Sequence, residues 1–198
     1  MGFLRALFGR SEPVQPNLDV LFALPGAAYT LEASLGFAPT GVGAVAFKPA
    51  EGAAAQHSQD EILDLLHLDP GLNVSVTADE FGYTWITARQ SVVDLPTLVT
   101  ALHAINATLA DAGFGPSLLC TVVAFTAAAD ADTESSSGPR RLGLVYLFKR
   151  GTVYPFAPVG NRRRDTALEL QTRAVLAGDL PIERDLQRWF PVWNGPAP

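Results

Sequence analysis

The sequence contains one cysteine and no long apolar run. The single cysteine, Cys120, excludes an internal disulfide and a metal cage built of thiolates. It lies in the apolar stretch SLLCTVVAF, where a buried small side chain is favoured over a reactive thiol. No apolar run approaches the ~20 residues of a membrane-spanning helix, and the N-terminus lacks the features of a secretory signal. We therefore expect a cytoplasmic protein.

Motifs of catalysis and metal binding are also missing. The sequence has no G-x-S-x-G, no H-E-x-x-H and no Walker loop. His57 and His67 do not have the one-turn spacing of a zinc-binding helix, and His103 lies beside the apolar stripe of a predicted helix. We expect no metal, no cofactor and no enzymatic activity. The alternative of an enzyme or small-molecule binder requires a deep pocket with converging polar groups near Glu51, His57 or Tyr83.

The composition and the hydrophobic periodicity indicate one α+β domain. Of 198 residues, 48% are apolar and 17% charged, which is enough for one hydrophobic core. The predicted helices are residues 17–35, 58–68, 94–113 and 165–177. The predicted strands are 41–48, 72–76, 83–87, 117–125 and the two arms of 141–156. Tight turns between neighbouring strands favour an antiparallel sheet of about five to six strands, with helices packed on one face.

We predict that this domain spans residues 17–198, with a short segment before it and a flexible loop within it. Residues 1–16 combine a short amphipathic stretch with a Pro-rich joint. The stretch places four apolar side chains on one helical stripe, and these are Phe3, Leu4, Leu7 and Phe8. Such a stripe either contacts an anionic membrane surface or docks on the protein's own core. Residues 127–139 are small, acidic and Ser-rich, which predicts a flexible loop.

Charge is divided unequally along the chain. Residues 1–139 carry four basic and fifteen acidic side chains, a net of −11, whereas residues 140–198 carry ten basic and five acidic ones, a net of +5. This asymmetry indicates a basic C-terminal surface for an acidic partner. The whole chain has a net charge of −6, which argues against nucleic acid as that partner.

Three consecutive arginines occur in this basic part. Asn161 can serve as the N-cap of a longer form of the helix predicted at 165–177, and the first turn of this longer helix carries Arg162, Arg163 and Arg164. Positive charge there opposes the helix dipole. Residues that destabilise their own helix in this way often belong to a contact surface. Arginines that extend into solvent, partly paired with Asp165 and Glu169, explain the pattern equally well.

Aromatic residues accompany the basic ones. The C-terminal tryptophans either fold back on the core or form a hot spot for a partner. The residues that we predict to bind a partner are Lys149, Arg150, Arg162, Arg163, Arg164, Trp189 and Trp193.

Several long blocks of the sequence resemble the PspAB family, named for association with the phage-shock protein PspA. The blocks are MGFLRALFGR, YTW, LHAIN, DAGFGPSLLC, LVYLFKRGTVYPFAP and DLQRWFPVW, and together they cover nearly the whole chain outside 127–139. The resemblance implies a non-enzymatic accessory or adaptor protein of the envelope-stress response, with a PspA-like protein as partner. It assigns no catalytic residues. The element order also resembles small secretion-chaperone-like domains, a likeness of topology alone.

Two hypotheses of function follow. The first is a cytoplasmic adaptor that binds an acidic protein through its basic, aromatic C-terminal face. The second is a peripheral protein of the inner membrane face, anchored by the stripe in residues 1–16. The sequence holds no indication of the oligomeric state.

Overall fold

Six strands form one antiparallel sheet in the order β2-β3-β1-β4-β5-β6. The computed structural model describes residues 16–48, 71–128, 139–193 and 195. The strands are β1 (Ala38–Phe47), β2 (Leu72–Ala78), β3 (Thr84–Gln90), β4 (Leu118–Ala127), β5 (Arg140–Leu147) and β6 (Thr152–Phe156). Tight turns join β2 to β3 and β5 to β6. The predicted α+β fold with an antiparallel sheet is therefore confirmed, and β1 and β4 lie at the centre of the sheet.

Three helices of the described part pack on one face of this sheet. They are α1 (Leu24–Leu35), α2 (Leu95–Leu109) and α3 (Thr166–Leu176). Local chemistry sets their ends as predicted: the Asp94 carboxylate accepts the N–H of Thr97 at the start of α2. Gly36 adopts φ 74° at the end of α1, a conformation that glycine reaches without strain. The buried side chains of all three helices join one apolar core with the sheet.

The start of α3 agrees with the predicted helix at 165–177 and not with an N-cap at Asn161. The N-cap is Asp165, whose carboxylate accepts the N–H of Leu168 at 2.9 Å, and not Asn161. Asn161 and Arg162 lie before the helix in a turn with φ of 48° and 51°. The physical reason is that an aspartate both caps the free amides and adds negative charge at the helix N-terminus. The three arginines therefore do not face the helix dipole.

The opposite face of the sheet is covered by the chain that follows α3. Its segment 181–183 runs beside β6, where Val153 exchanges backbone hydrogen bonds with Pro181 and Glu183. The chain then crosses onto the sheet and buries Trp189 and Val192 in a second apolar cluster. We call residues 181–193 the tail. Within the described ranges, no helix has the length and apolarity needed to cross a bilayer.

Some predictions concern residues outside those described. They are the helix at 58–68, most of the loop at 127–139, and the N-terminal stripe of Phe3, Leu4, Leu7 and Phe8.

The absence of a side chain at Gly43 lets α2 approach β1. A Cβ atom at this position would lie 2.6 Å from Cδ1 of Leu102 and 3.2 Å from the carbonyl oxygen of Val122. Leu102 is fully buried, so its side chain has little room to move away.

We expect Gly43→Ala to lower the free energy of unfolding by about 1–3 kcal/mol, because it overpacks the contact between α2 and β1. Urea denaturation measures this change. The matched control is Gly26→Ala, at an exposed position of α1 where no atom lies within 4 Å of the new Cβ; it should stabilise the protein by up to about 1 kcal/mol. Equal unfolding midpoints for the two variants would contradict the prediction.

Candidate functional site

The tail is folded onto the sheet by its aromatic residues. Trp189 is only 5% exposed; its ring stacks on Tyr154 with centroids 5.9 Å apart, and its Nε1 donates to the carbonyl of Glu183. The hydroxyl of Tyr154 donates to the carbonyl of Phe190 at 2.7 Å. Trp193 packs edge-on against Phe156, with 5.0 Å between the centroids. Trp189 thus has a packing role, whereas Trp193 stays partly exposed.

An ion pair with a buried carboxylate joins the tail to α3. Glu169, on the first turn of α3, is 2% exposed, and its carboxylate accepts both the Nε of Arg164 at 2.8 Å and the backbone N–H of Ala157 at 2.9 Å. The same guanidinium donates through Nη1 to the carbonyl of Trp189 at 2.7 Å. It also lies over the ring of Phe156. Arg164 therefore connects the helix layer, β6 and the tail.

A second buried carboxylate, Glu183, ties the tail to the β5–β6 turn. Its side chain accepts the Nε of Arg150 and the hydroxyl of Thr152, each at 2.9 Å, and the N–H of Asp185 at 3.0 Å. Burial alone raises the pKa of Glu183, but these hydrogen bonds outweigh burial and hold the pKa below its usual value. Glu183 is therefore ionised at neutral pH, and Arg150 neutralises it.

An apolar cleft of about 340 Å³ opens between the tail and the β2–β3 hairpin. We call it the aromatic cleft. Its floor is formed by buried side chains of the sheet, among them Trp85, Cys120, Leu147 and Tyr154. Its rim carries Phe81 and Tyr83 on the hairpin and Phe190 and Trp193 on the tail. Phe81 is 59% exposed and Phe190 57% exposed, which is unusual for phenylalanine and typical of a contact surface.

Asp79 holds the hairpin side of the rim in place. One carboxylate oxygen accepts the backbone N–H groups of Phe81 and Tyr83, and the other accepts the indole N–H of Trp85 at 2.9 Å. Burial raises the pKa of Asp79, but these hydrogen bonds have the larger combined effect and lower it. The fixed turn projects Phe81 at its tip. Asp79 is thus a structural residue, with its oxygens already used inside the turn.

A second cleft, of about 450 Å³, adjoins the first at Tyr83 and Leu119. Lys48, which follows β1, and Lys149, in the β5–β6 turn, both line it. Both lysines are exposed. Two ammonium groups therefore lie beside the mouth of the aromatic cleft, at the end of the sheet from which the β5–β6 turn projects.

The predicted partner-binding residues separate into two groups. Arg150, Arg164 and Trp189 hold the tail through the contacts given above. The other four reach the surface: Lys149 and Trp193 line the clefts, Arg163 is exposed, and Arg162 pairs with Glu80 at 2.7 Å beside the hairpin tip.

Sequence reasoning missed Lys48 and Phe81 as part of this surface. An aromatic residue at a hairpin tip, where Gly, Asn or Asp is usual, was the available signal for Phe81. Tyr83, the residue tied to the small-molecule alternative, lines both clefts. Glu51 and His57 lie outside the described residues.

The Cys120 thiol lies in the floor of the aromatic cleft without nucleophilic character. It is 2% exposed, and burial raises its pKa to about 12. The thiolate is therefore scarcely populated at neutral pH. In the part of the chain that the structure describes, no three His, Cys, Asp or Glu side chains cluster as a metal ion would require.

Comparison with known proteins confirms the family resemblance. The model of the PspAB family, described as PspA associated protein B, matches residues 1–197. No curated protein and no solved structure matches the chain. The likeness to secretion-chaperone domains thus stays a prediction from the order of elements.

We expect Arg164→Met to lower the free energy of unfolding by about 3–5 kcal/mol, because it leaves the Glu169 carboxylate buried without its cation. The free energy of unfolding of Arg164→Lys should lie between those of this variant and the wild type, since an ammonium cannot reproduce the several hydrogen bonds of the guanidinium. Urea unfolding followed by tryptophan fluorescence measures both. Arg163→Met is the matched control and should change stability by less than about 0.5 kcal/mol. Equal losses at 163 and 164 would contradict the role of the buried pair.

Proposed function

The chain belongs to the PspAB family, and from this premise we propose that it is a non-enzymatic adaptor that binds an acidic protein through its C-terminal surface. Membership supports an accessory role in the Psp system, and a PspA-like protein is the favoured partner. By the C-terminal surface we mean the exposed side chains of the β5–β6 turn, of residues 160–163 and of the tail.

The observation that carries this proposal is the outward positive charge that remains once internal pairs are counted. Arg150 and Arg164 neutralise the buried Glu183 and Glu169. Lys149 and Arg163, by contrast, are exposed and form no ion pair with any described residue. Exposed cations of this kind attract an acidic surface and accelerate association, with an effect that salt screens.

We expect the double variant Lys149→Glu/Arg163→Glu to bind a purified PspA-like protein at least about tenfold more weakly at low salt, because two attractive contacts become repulsive. Titration calorimetry at two salt concentrations measures this effect. The salt dependence of the residual binding should also be smaller than that of the wild type.

The matched control for this experiment is Arg173→Glu. Arg173 is exposed on α3, in the helix layer, so the same reversal of charge should leave binding nearly unchanged. Equal and salt-insensitive binding by the wild type and the double variant would refute the proposed surface.

A membrane-surface function is the second candidate, and it is favoured by the sequence of the N-terminus. The apolar stripe of Phe3, Leu4, Leu7 and Phe8 is flanked by Arg5 and Arg10, a pattern that fits an interfacial helix.

Under this hypothesis, deletion of residues 1–12 abolishes co-sedimentation with anionic liposomes. The variant Leu4→Ser/Leu7→Ser keeps the charge and should have the same effect. Undiminished sedimentation of both variants would eliminate this function.

A further inference from the structure

We propose that the aromatic cleft receives the apolar side chains of an acidic amphipathic helix, whose carboxylates are bound by Lys48 and Lys149. This inference deepens the proposed function and rests on it, since it assigns a chemistry to the partner's contact segment. It concerns a different part of the surface from Arg163, which is not a lining residue of either cleft.

The lining of the aromatic cleft identifies the apolar part of the ligand. The described side chains around it are aromatic or aliphatic, with the exceptions of Asp79 and Cys120. Asp79 has its oxygens occupied within the hairpin turn, and the Cys120 thiol stays protonated. The cleft therefore offers dispersion and desolvation rather than polar recognition, so the group that enters it is apolar.

The shape of the opening favours a protein segment over a small ligand. The volume, about 340 Å³, is at the lower end of the range of about 300–1,000 Å³ for small-molecule sites. Much of the apolar surface lies instead at the rim, where Phe81 and Phe190 are each more than half exposed. Exposed rings around a shallow apolar floor are typical of the hot spots at protein interfaces.

The position of the charges favours a helix. Lys48 and Lys149 lie to one side of the aromatic cleft, in the adjoining cleft that shares Tyr83 and Leu119 with it. A helix with an apolar stripe and a flanking row of acidic residues presents these two features side by side.

Hydrogen bonds within the protein hold both sides of the rim. The tail side is held by Arg164 and by the hydroxyl of Tyr154, and the hairpin side is held by Asp79. A preorganised site loses less conformational entropy on binding, so a single helix can bind measurably in isolation.

The test uses a synthetic helical peptide of about 18 residues, with Leu at i, i+3, i+4 and i+7 and Glu on the flanking positions. Binding to the full chain is measured by titration calorimetry and by the fluorescence of Trp85 and Trp193, both of which line the cleft. Two further peptides replace either every Leu by Ala or every Glu by Gln. We expect each replacement to weaken binding by at least about tenfold.

The protein variants are chosen for their exposure, so that folding is retained. Phe81→Ser/Phe190→Ser should weaken peptide binding by about tenfold or more, and Lys48→Gln/Lys149→Gln should weaken it and remove its salt dependence. Tyr29→Ser is the matched control, since Tyr29 is 77% exposed on α1 in the helix layer; it should bind like the wild type. Circular dichroism and the urea midpoint establish that each variant is folded.

Three outcomes would overturn the inference. The first is unchanged binding by the Phe81/Phe190 variant. The second is equal binding of the Leu and Ala peptides. In that case, weaker binding of the PspA-like protein to the Lys149→Glu/Arg163→Glu variant would still support the proposed function. The third is saturable binding of sodium dodecanoate without binding of the Leu peptide, which would assign the cleft to a small anionic amphiphile. If the Leu peptide binds through the cleft but the PspA-like protein does not bind, the result counts only against the proposed function.

Discussion

The pair of Glu169 and Arg164 determines how the parts of this protein are arranged around each other. A buried carboxylate is tolerated only with a cation and further donors nearby. Here the donors are the backbone of Ala157, just after β6, and the side chain of Arg164, which precedes the N-cap of α3. Because the same arginine binds the tail at Trp189, the three segments have to be positioned together. The aromatic cleft exists only in that arrangement, since the tail forms one of its sides.

The fold was predictable because the signals that define it are local. Asp94 and Gly36 set helix ends through contacts within a few residues, and the alternation of Leu72, Val74 and Val76 marks a strand with one buried face. The tight β5–β6 turn was likewise evident from its neighbours. Strand order was less accessible, because β1 pairs with both β3 and β4, and such pairing depends on residues far apart in the chain.

The candidate site was only partly predictable. The sequence marked the C-terminal part as basic and aromatic, and Lys149 and Trp193 do line the clefts. It did not distinguish Arg164 from Arg163, although Arg164 is half-buried against Glu169 and Arg163 is exposed. That difference depends on Asp165, which starts α3 after the arginines and brings Glu169 towards Ala157. Phe81 and Phe190 come together only through the fold, and no local pattern connects them.

The position of the tail in the chain has a consequence for folding during synthesis. The six described strands all precede the tail, yet the tail covers the apolar face that β4, β5 and β6 turn away from the helices. On a ribosome the sheet therefore emerges before its second cover, and this face remains open to solvent until Trp189 and Val192 have emerged as well. Nascent chains with such exposed apolar surface are prone to aggregation. Chaperone protection of this protein should therefore matter most in the interval between completion of β6 and arrival of the tail.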